Sequence, residues 1–156
     1  MGDALTPRFL SVLGGVTLLL SLNACGTEGG VDEGAVVTVY ASAKQCDGAE
    51  RNLARFEGKA GQLRVELVCV EPIERGGKLD LAAVGLNARR AVEDSSAVAY
   101  LESPGKATKF SEPILSEAEL AMIQTHSGAT SMGRVLDLLA GWDSDEGPRE
   151  TVWEGR

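Results

Sequence analysis

Apolar positions along the chain follow two different spacings, and their alternation predicts the order of secondary-structure elements. Four segments are apolar or rich in β-branched residues, as expected for strands that are buried on both faces of a sheet. These segments are 35–42, 63–70, 96–101 and 120–124. Between them, apolar residues recur every three or four positions, which is typical of amphipathic helices.

Each interval between two strands predicts one helix. In the first interval, Asp47 and Glu50 have the spacing of a capping box, and Gly58 is placed to end the helix. Asp80 is the expected N-cap of the second helix, and Pro113 lies either near the start of the third helix or at a kink. The three apolar faces consist of Ala49, Leu53 and Phe56, then Leu81, Val84, Ala88, Ala91 and Val92, then Ala107, Phe110, Ile114 and Ala118.

The regular succession of strands and helices predicts the fold class. Strands that alternate with helices form parallel sheets with right-handed crossovers. We therefore expect an α/β lobe over residues 35–141, with an open, mostly parallel sheet of about four strands and helices on both faces. Residues 134–140 predict one or two further helical turns, and residues 142–156 predict an acidic loop or tail.

The N-terminal segment has the pattern of an exported lipoprotein. Residues 9–22 form an apolar run shorter than the roughly 20 residues that span a bilayer, as in a secretory signal peptide. Residues 22–25 (LNAC) resemble the bacterial lipobox, whose cysteine becomes the lipidated first residue of the mature protein. We expect a signal peptide over 1–24, then a lipidated Cys25 and a Gly-rich tether over 25–34. An ordinary signal peptide with an incidental cysteine is the alternative.

Composition and motifs narrow the classes of function. The chain has 156 residues and a net charge of −8, which argues against a nucleic-acid partner because such proteins present a basic surface. The single histidine, His126, has no ligand at zinc-like spacing, so no metal and no cofactor are expected. The first strand is not followed by G-x-G-x-x-G, and no G-x-S-x-G elbow occurs. We therefore predict no catalytic residues and no enzymatic activity.

Cys46 and Cys69 leave two interpretations open. In an oxidising compartment, two cysteines within one domain can form a disulfide. Two separate buried thiols are the alternative.

Candidate ligand contacts lie where the third and fourth strands end. Open α/β sheets bind ligands beyond the carboxyl ends of their strands. Small residues there let the backbone approach a ligand, and hydroxyl groups add donors and acceptors. The candidates are Ser103, Gly105, Ser127, Gly128, Ala129 and Thr130. A purely structural role for Gly105 and Gly128, in turns, is the alternative.

Several runs resemble one family when they are taken in order. Residues 87–100 (NARRAVEDSSAVAY), 107–108, 113–118 (PILSEA) and 126–130 (HSGAT) look like recurring runs in the substrate-binding proteins of branched-chain amino acid ABC transporters. The resemblance covers roughly residues 36–153. It implies one lobe of a type 1 periplasmic binding protein, which binds an amino acid or a related small molecule and delivers it to a transporter permease.

The same resemblance assigns roles to the candidate residues and shows departures from the family. The loop after the third strand and the SGAT-like loop would hold the ligand, with the Thr130 hydroxyl as a contact. Gly105 stands where the family usually has a ligand-binding serine, and the loop 43–45 is shorter than the family's.

The chain also has room for only one of the two lobes, so we expect a truncated receptor held on the outer face of the bacterial cell membrane, or in the periplasm. Half of the roughly −8 kcal/mol of a micromolar site leaves about millimolar binding. A membrane-tethered interaction module without a ligand is the alternative function.

Overall fold

The computed structural model describes residues 34–141, which form one α/β lobe. Its strands are β1 (Val36–Ala41), β2 (Lys59–Ala60), β3 (Leu63–Cys69), β4 (Glu74–Arg75), β5 (Lys78–Leu79), β6 (Ala97–Glu102) and β7 (Ala121–Gln124). Its helices are α1 (Ala43–Arg55), α2 (Leu81–Val92), α3 (Thr108–Glu117) and α4 (Gly128–Ala140). The predicted signal peptide, Cys25 and the acidic tail lie outside the described residues.

The main sheet has five strands in the order β2-β3-β1-β6-β7. The strands β3, β1, β6 and β7 are parallel, and only the short β2 is antiparallel to its neighbour β3. The predicted fold class is confirmed, and the four predicted strands form the parallel part of the sheet. The chain passes from β1 to β3 on one side and then crosses to β6 on the other. The strand order therefore reverses at β1, where doubly wound folds open a crevice.

Helices cover both faces of the sheet and create two apolar layers. On one face, α1 and α4 pack against alternate residues of the central strands, including Val39, Ala41 and Leu101. On the other face, α2 and α3 cover the intervening residues, including Tyr40 and Tyr100. The alternation follows from the two-residue period of a strand, so every second side chain of β1 and β6 belongs to the opposite layer.

The start of α1 corrects the predicted capping box. The helix begins at Ala43, directly after β1, because the carbonyl of Ser42 already accepts from the amides of Gln45 (2.8 Å) and Cys46 (3.0 Å). Asp47 therefore lies inside the first turns rather than at the N-cap. Gly58 does follow the helix end, with a positive φ of 70°.

The other helices can also be compared with their predicted caps, lengths and buried faces. Asp80 caps α2 as predicted, accepting from the amide of Ala83 at 3.1 Å. Pro113 lies inside α3, as its sixth residue, rather than near its start. The helix α4 is 13 residues long, more than the predicted one or two turns. Phe56, Leu81 and Phe110, which the sequence places on apolar helix faces, are exposed.

Candidate functional site

The predicted ligand contacts lie at one edge of the sheet. Ser103 and Gly105 follow β6, and residues 127–130 follow β7, the parallel neighbour of β6. The carboxyl ends of parallel neighbours face the same way, so both groups are at the same rim. The two groups of residues differ in the contacts that their atoms make at this rim.

Gln45 joins the two groups. Its side chain is fully buried, and its Nε2 donates to Ser103 Oγ at 2.8 Å and to the Thr125 carbonyl at 2.6 Å. Its Oε1 accepts from Ser131 Oγ at 3.2 Å. The start of α1 is thereby tied to the ends of β6 and β7 and to α4.

Residues 127–130 are occupied by packing between α1 and α4. Ser127 is the N-cap of α4, and its Oγ accepts from the Thr130 amide at 3.4 Å. A Cβ placed on Gly128 would stand 1.8 Å from the carbonyl oxygen of Gln45, and one on Gly48 would stand 2.8 Å from the Ala129 amide. The absence of a side chain at Gly128 therefore allows α1 and α4 to pack closely, and its predicted contact with a ligand stays a prediction.

The remaining two residues of this segment are also placed by α4. The Ala129 carbonyl accepts from Asn52 Nδ2 of α1 at 2.7 Å. Thr130 is exposed in the first turn of α4. Neither residue lines the cleft described next.

A cleft of about 540 Å³ opens beside the loop after β6. Three segments form its walls: the start of α1, the loop between β3 and α2, and the loop between β6 and α3. The wall residues include Ser42, Ala43, Lys44, Pro72, Ile73, Glu74, Gly77, Leu79 and residues 102–107. Ser103 and Gly105 are thus the two predicted contacts that line it. Its position between β1, β3 and β6 is the strand-order reversal at which α/β sheets bind ligands.

Gly105 has a structural role as well as a place in the cleft wall. Its amide donates to Thr108 Oγ1 at 3.0 Å, and its carbonyl accepts from the same hydroxyl at 2.8 Å. These bonds close the turn that leads into α3. The turn role that the sequence left open for Gly105 is therefore present.

Glu102 is the most deeply buried charged residue of the cleft, with 3% of its surface exposed. Ser111 Oγ donates to its Oε2 at 2.5 Å, whereas Oε1 has no hydrogen-bond partner among residues 34–141. Burial raises the pKa of this carboxyl, and the Ser111 hydrogen bond partly offsets the rise. A carboxyl group with one oxygen fixed and the other free is available for a hydrogen bond from a ligand.

Ser42 has an unusual position at the junction of β1 and α1. It is 6% exposed, it lines the cleft, and its Oγ is the one buried side-chain polar atom without a partner in the described lobe. It also makes no side-chain cap on α1. A buried hydroxyl without a hydrogen bond costs about 1–3 kcal/mol, so the unpaired Ser42 Oγ lowers the stability of the fold by about that amount.

Ionic groups line the outer part of the cleft. Lys44 Nζ pairs with Glu74 Oε1 at 2.7 Å, which joins α1 to the hairpin of β4 and β5. Both side chains are more than half exposed, so this pair contributes little to stability. Lys106 lies on the opposite wall. The opening of the cleft therefore holds two cations and one carboxylate.

A disulfide fixes the same helix from its other side. Cys46 of α1 is bonded to Cys69 at the end of β3, with 5.6 Å between their Cα atoms. Together with Gln45, it restrains the first turn of α1 relative to the sheet. The N-terminal end of α1 is thus a rigid wall of the cleft.

Ser42 and Glu102 are not among the predicted contacts, although the sequence held a signal for both. Ser42 directly follows the apolar strand β1, and Glu102 is the only charged residue of β6. Their adjacency could not be read from the sequence, because it depends on the pairing of β1 with β6.

Comparisons with known proteins identify no family for this chain. Neither protein-family models, nor curated proteins, nor solved structures gave a match. Within residues 34–141, every helix is too short or too polar to cross a bilayer.

Proposed function

We propose that this chain binds a small solute non-covalently, as the receptor component of an ABC transporter for branched-chain amino acids or related molecules. The observation that carries the proposal is the cleft of about 540 Å³ at the reversal of strand order. The resemblance in residues 87–130 supports the choice of an amino acid as ligand. The proposal involves recognition without catalysis.

The affinity follows from the geometry of the lobe. In the receptors that the sequence resembles, two lobes close on the ligand, and residues 34–141 would supply one of them. A micromolar site corresponds to about −8 kcal/mol, and half of that energy gives a Kd of roughly 1 mM. We therefore expect weak binding of L-leucine and L-valine.

Titration of the purified full chain with L-leucine, followed by ¹⁵N–¹H NMR, tests this proposal. The expected result is a saturable shift of cleft amides with millimolar affinity. Micromolar binding would contradict the one-lobe argument. No shift with either amino acid would favour the alternative function, a membrane-tethered interaction module.

Membrane attachment is part of the same proposal. The lipid anchor at Cys25 would hold the lobe at the outer face of the membrane, next to its permease. Metabolic labelling with a radioactive fatty acid tests this, because the wild-type chain should incorporate label and Cys25→Ala should not.

A further inference from the structure

The floor of the cleft brings together two polar groups from neighbouring strands. Ser42 follows β1 and Glu102 ends β6, and Ala41 pairs with Leu101 in the register immediately before them. The Ser42 amide donates to the Leu101 carbonyl at 2.9 Å. Because neighbouring strands are about 4.8 Å apart, the Ser42 and Glu102 backbones are separated by about that distance.

Each of the two residues keeps a side-chain atom without a hydrogen-bond partner, and in Ser42 that atom is buried. Ser42 Oγ has no partner at all, and Glu102 Oε1 has none although Oε2 is held by Ser111. The two residues are 94% and 97% buried. Buried polar atoms of folded proteins are almost always paired, so the buried and unpaired Ser42 Oγ, on the strand next to that of Glu102, indicates a site for a polar ligand.

The two sides of this floor have opposite electrostatic character. On one side, α1 begins at Ala43, so the Ala43 and Lys44 amides have no acceptor within the helix and carry the positive end of its dipole. Such a terminus binds carboxylates and phosphates, and the Lys44 ammonium lies beside it. On the other side, the Glu102 carboxyl offers an acceptor that suits a cationic donor.

We propose that the cleft holds the charged end of a free α-amino acid, with its carboxylate at Ser42 and the first amides of α1 and its ammonium at Glu102 Oε1. This inference rests on the proposed function and names the atoms of recognition, which differ from the segment 127–130 singled out by the sequence. Backbones that lie about one strand spacing apart suit a ligand that carries both charged groups on one carbon, rather than at opposite ends of a long molecule.

The burial of Glu102 is consistent with this assignment. Burial raises the pKa of its carboxyl, and an ammonium at hydrogen-bond distance would favour the ionised form. The Glu74 carboxylate already pairs with Lys44 at the rim. Glu102 is therefore the buried carboxyl of the cleft that a ligand cation can reach.

NMR titrations of the ¹⁵N-labelled full chain with glycine, L-leucine and N-acetylglycine test the assignment. Glycine carries only the charged end, and N-acetylglycine lacks the cation. We expect glycine and L-leucine to shift the Ala43 and Lys44 amides, and N-acetylglycine to bind at least about tenfold more weakly, a factor equivalent to 1.4 kcal/mol.

Two variants separate the two ends of the site. Glu102→Gln should weaken the binding of glycine by about tenfold or more and leave the affinity for N-acetylglycine unchanged. The control Glu112→Gln, at an exposed position, should change neither affinity. Ser42→Ala should weaken both ligands, and its melting temperature should not fall, since it removes an unpaired buried hydroxyl. Equal glycine affinity for wild type and Glu102→Gln would overturn the inference, as would the absence of any glycine shift at α1.

The outcomes also separate this inference from the proposed function. Binding of glycine without binding of leucine would support the site at Ser42 and Glu102 and would exclude a branched-chain amino acid as the ligand. Leucine binding that is insensitive to both variants would keep the receptor function and reject these atoms as its site.

Discussion

Replacement of Gly128 by alanine should destabilise the fold through a backbone collision between two helices. The new Cβ would lie 1.8 Å from the Gln45 carbonyl oxygen, 2.7 Å from the Gln45 carbonyl carbon and 2.9 Å from the Ala49 amide nitrogen. Ordinary contact begins near 3.4 Å, so α1 and α4 would have to separate by 3.4 − 1.8 = 1.6 Å. These atoms belong to the backbone, so no side-chain rotation relieves the overlap.

The size of the effect follows from what overpacking costs. Such insertions typically cost about 1–3 kcal/mol, and a shift of two helices belongs at the upper end, at about 2–3 kcal/mol. For a domain of this size, that loss corresponds to a melting temperature lower by roughly 8–24 °C. Separation of the helices would also stretch the contact between Gln45 and Ser131, which is already 3.2 Å long.

Thermal melts of the full chain, followed by circular dichroism, measure this change. Gly85→Ala is a matched control, because Gly85 lies inside α2 and a Cβ there meets no atom within 4 Å. The higher helix propensity of alanine should increase the stability of this variant by up to about 1 kcal/mol. If Gly128→Ala melts together with the wild type and instead loses ligand binding, Gly128 serves the ligand and the packing argument is wrong.

Four further predictions concern buried polar groups, pH and the disulfide. Gln45→Leu should cost about 2–4 kcal/mol in urea denaturation, since it removes three hydrogen bonds worth about 0.5–1.5 kcal/mol each; a loss below about 1 kcal/mol would contradict the role of this network. The folded pKa of Glu102 is raised above its unfolded value of 4.5, so its favourable contribution is complete below pH 4.5 and is lost as the pH rises through the folded pKa. Wild type should therefore lose stability relative to Glu102→Gln over that interval, and parallel pH profiles would refute the burial effect. The pKa of Asp94 is lowered from 3.8, first by the hydrogen bond from the Ser96 side chain and then by that from its backbone amide. Wild type should thus lose stability relative to Asp94→Asn as the pH falls below 3.8 toward the folded pKa, and an equal acid transition for both would exclude this contribution. Replacement of both Cys46 and Cys69 by serine should cost about 3 kcal/mol, from the loop of 23 residues that their bond closes; unchanged stability on reduction would show that the bond does not constrain the unfolded chain.

The sequence already contained the fold class, because the two hydrophobic periods are local properties. Residues 36–41 and 97–102 alternate between layers, as the runs of Val, Ala and Tyr predict. The face of α2 that carries Val84, Ala88 and Ala91 is buried as its period predicts. These patterns depend on neighbours within one turn or one strand, so they can be predicted without knowledge of the tertiary structure.

The candidate site was predicted only in part. Ser103 and Gly105 line the cleft, since the end of a parallel strand is a general ligand position. Gly128 allows the close contact of α4 with α1, and a single sequence does not show whether a glycine accommodates a neighbouring helix, a ligand or both. The early start of α1 was missed because Asp47 and Glu50 have capping-box spacing, whereas the preceding strand end provides the actual start.

Tertiary structure alone decided which polar residues meet. The sequence by itself determined that the chain alternates strands with helices, because that follows from spacing along the backbone. It did not determine that Ser42 and Glu102 are neighbours, since 60 positions separate them and only the parallel pairing of β1 with β6 brings them together. Pairing is chosen by the packing of the whole sheet, and the cleft is a consequence of that choice.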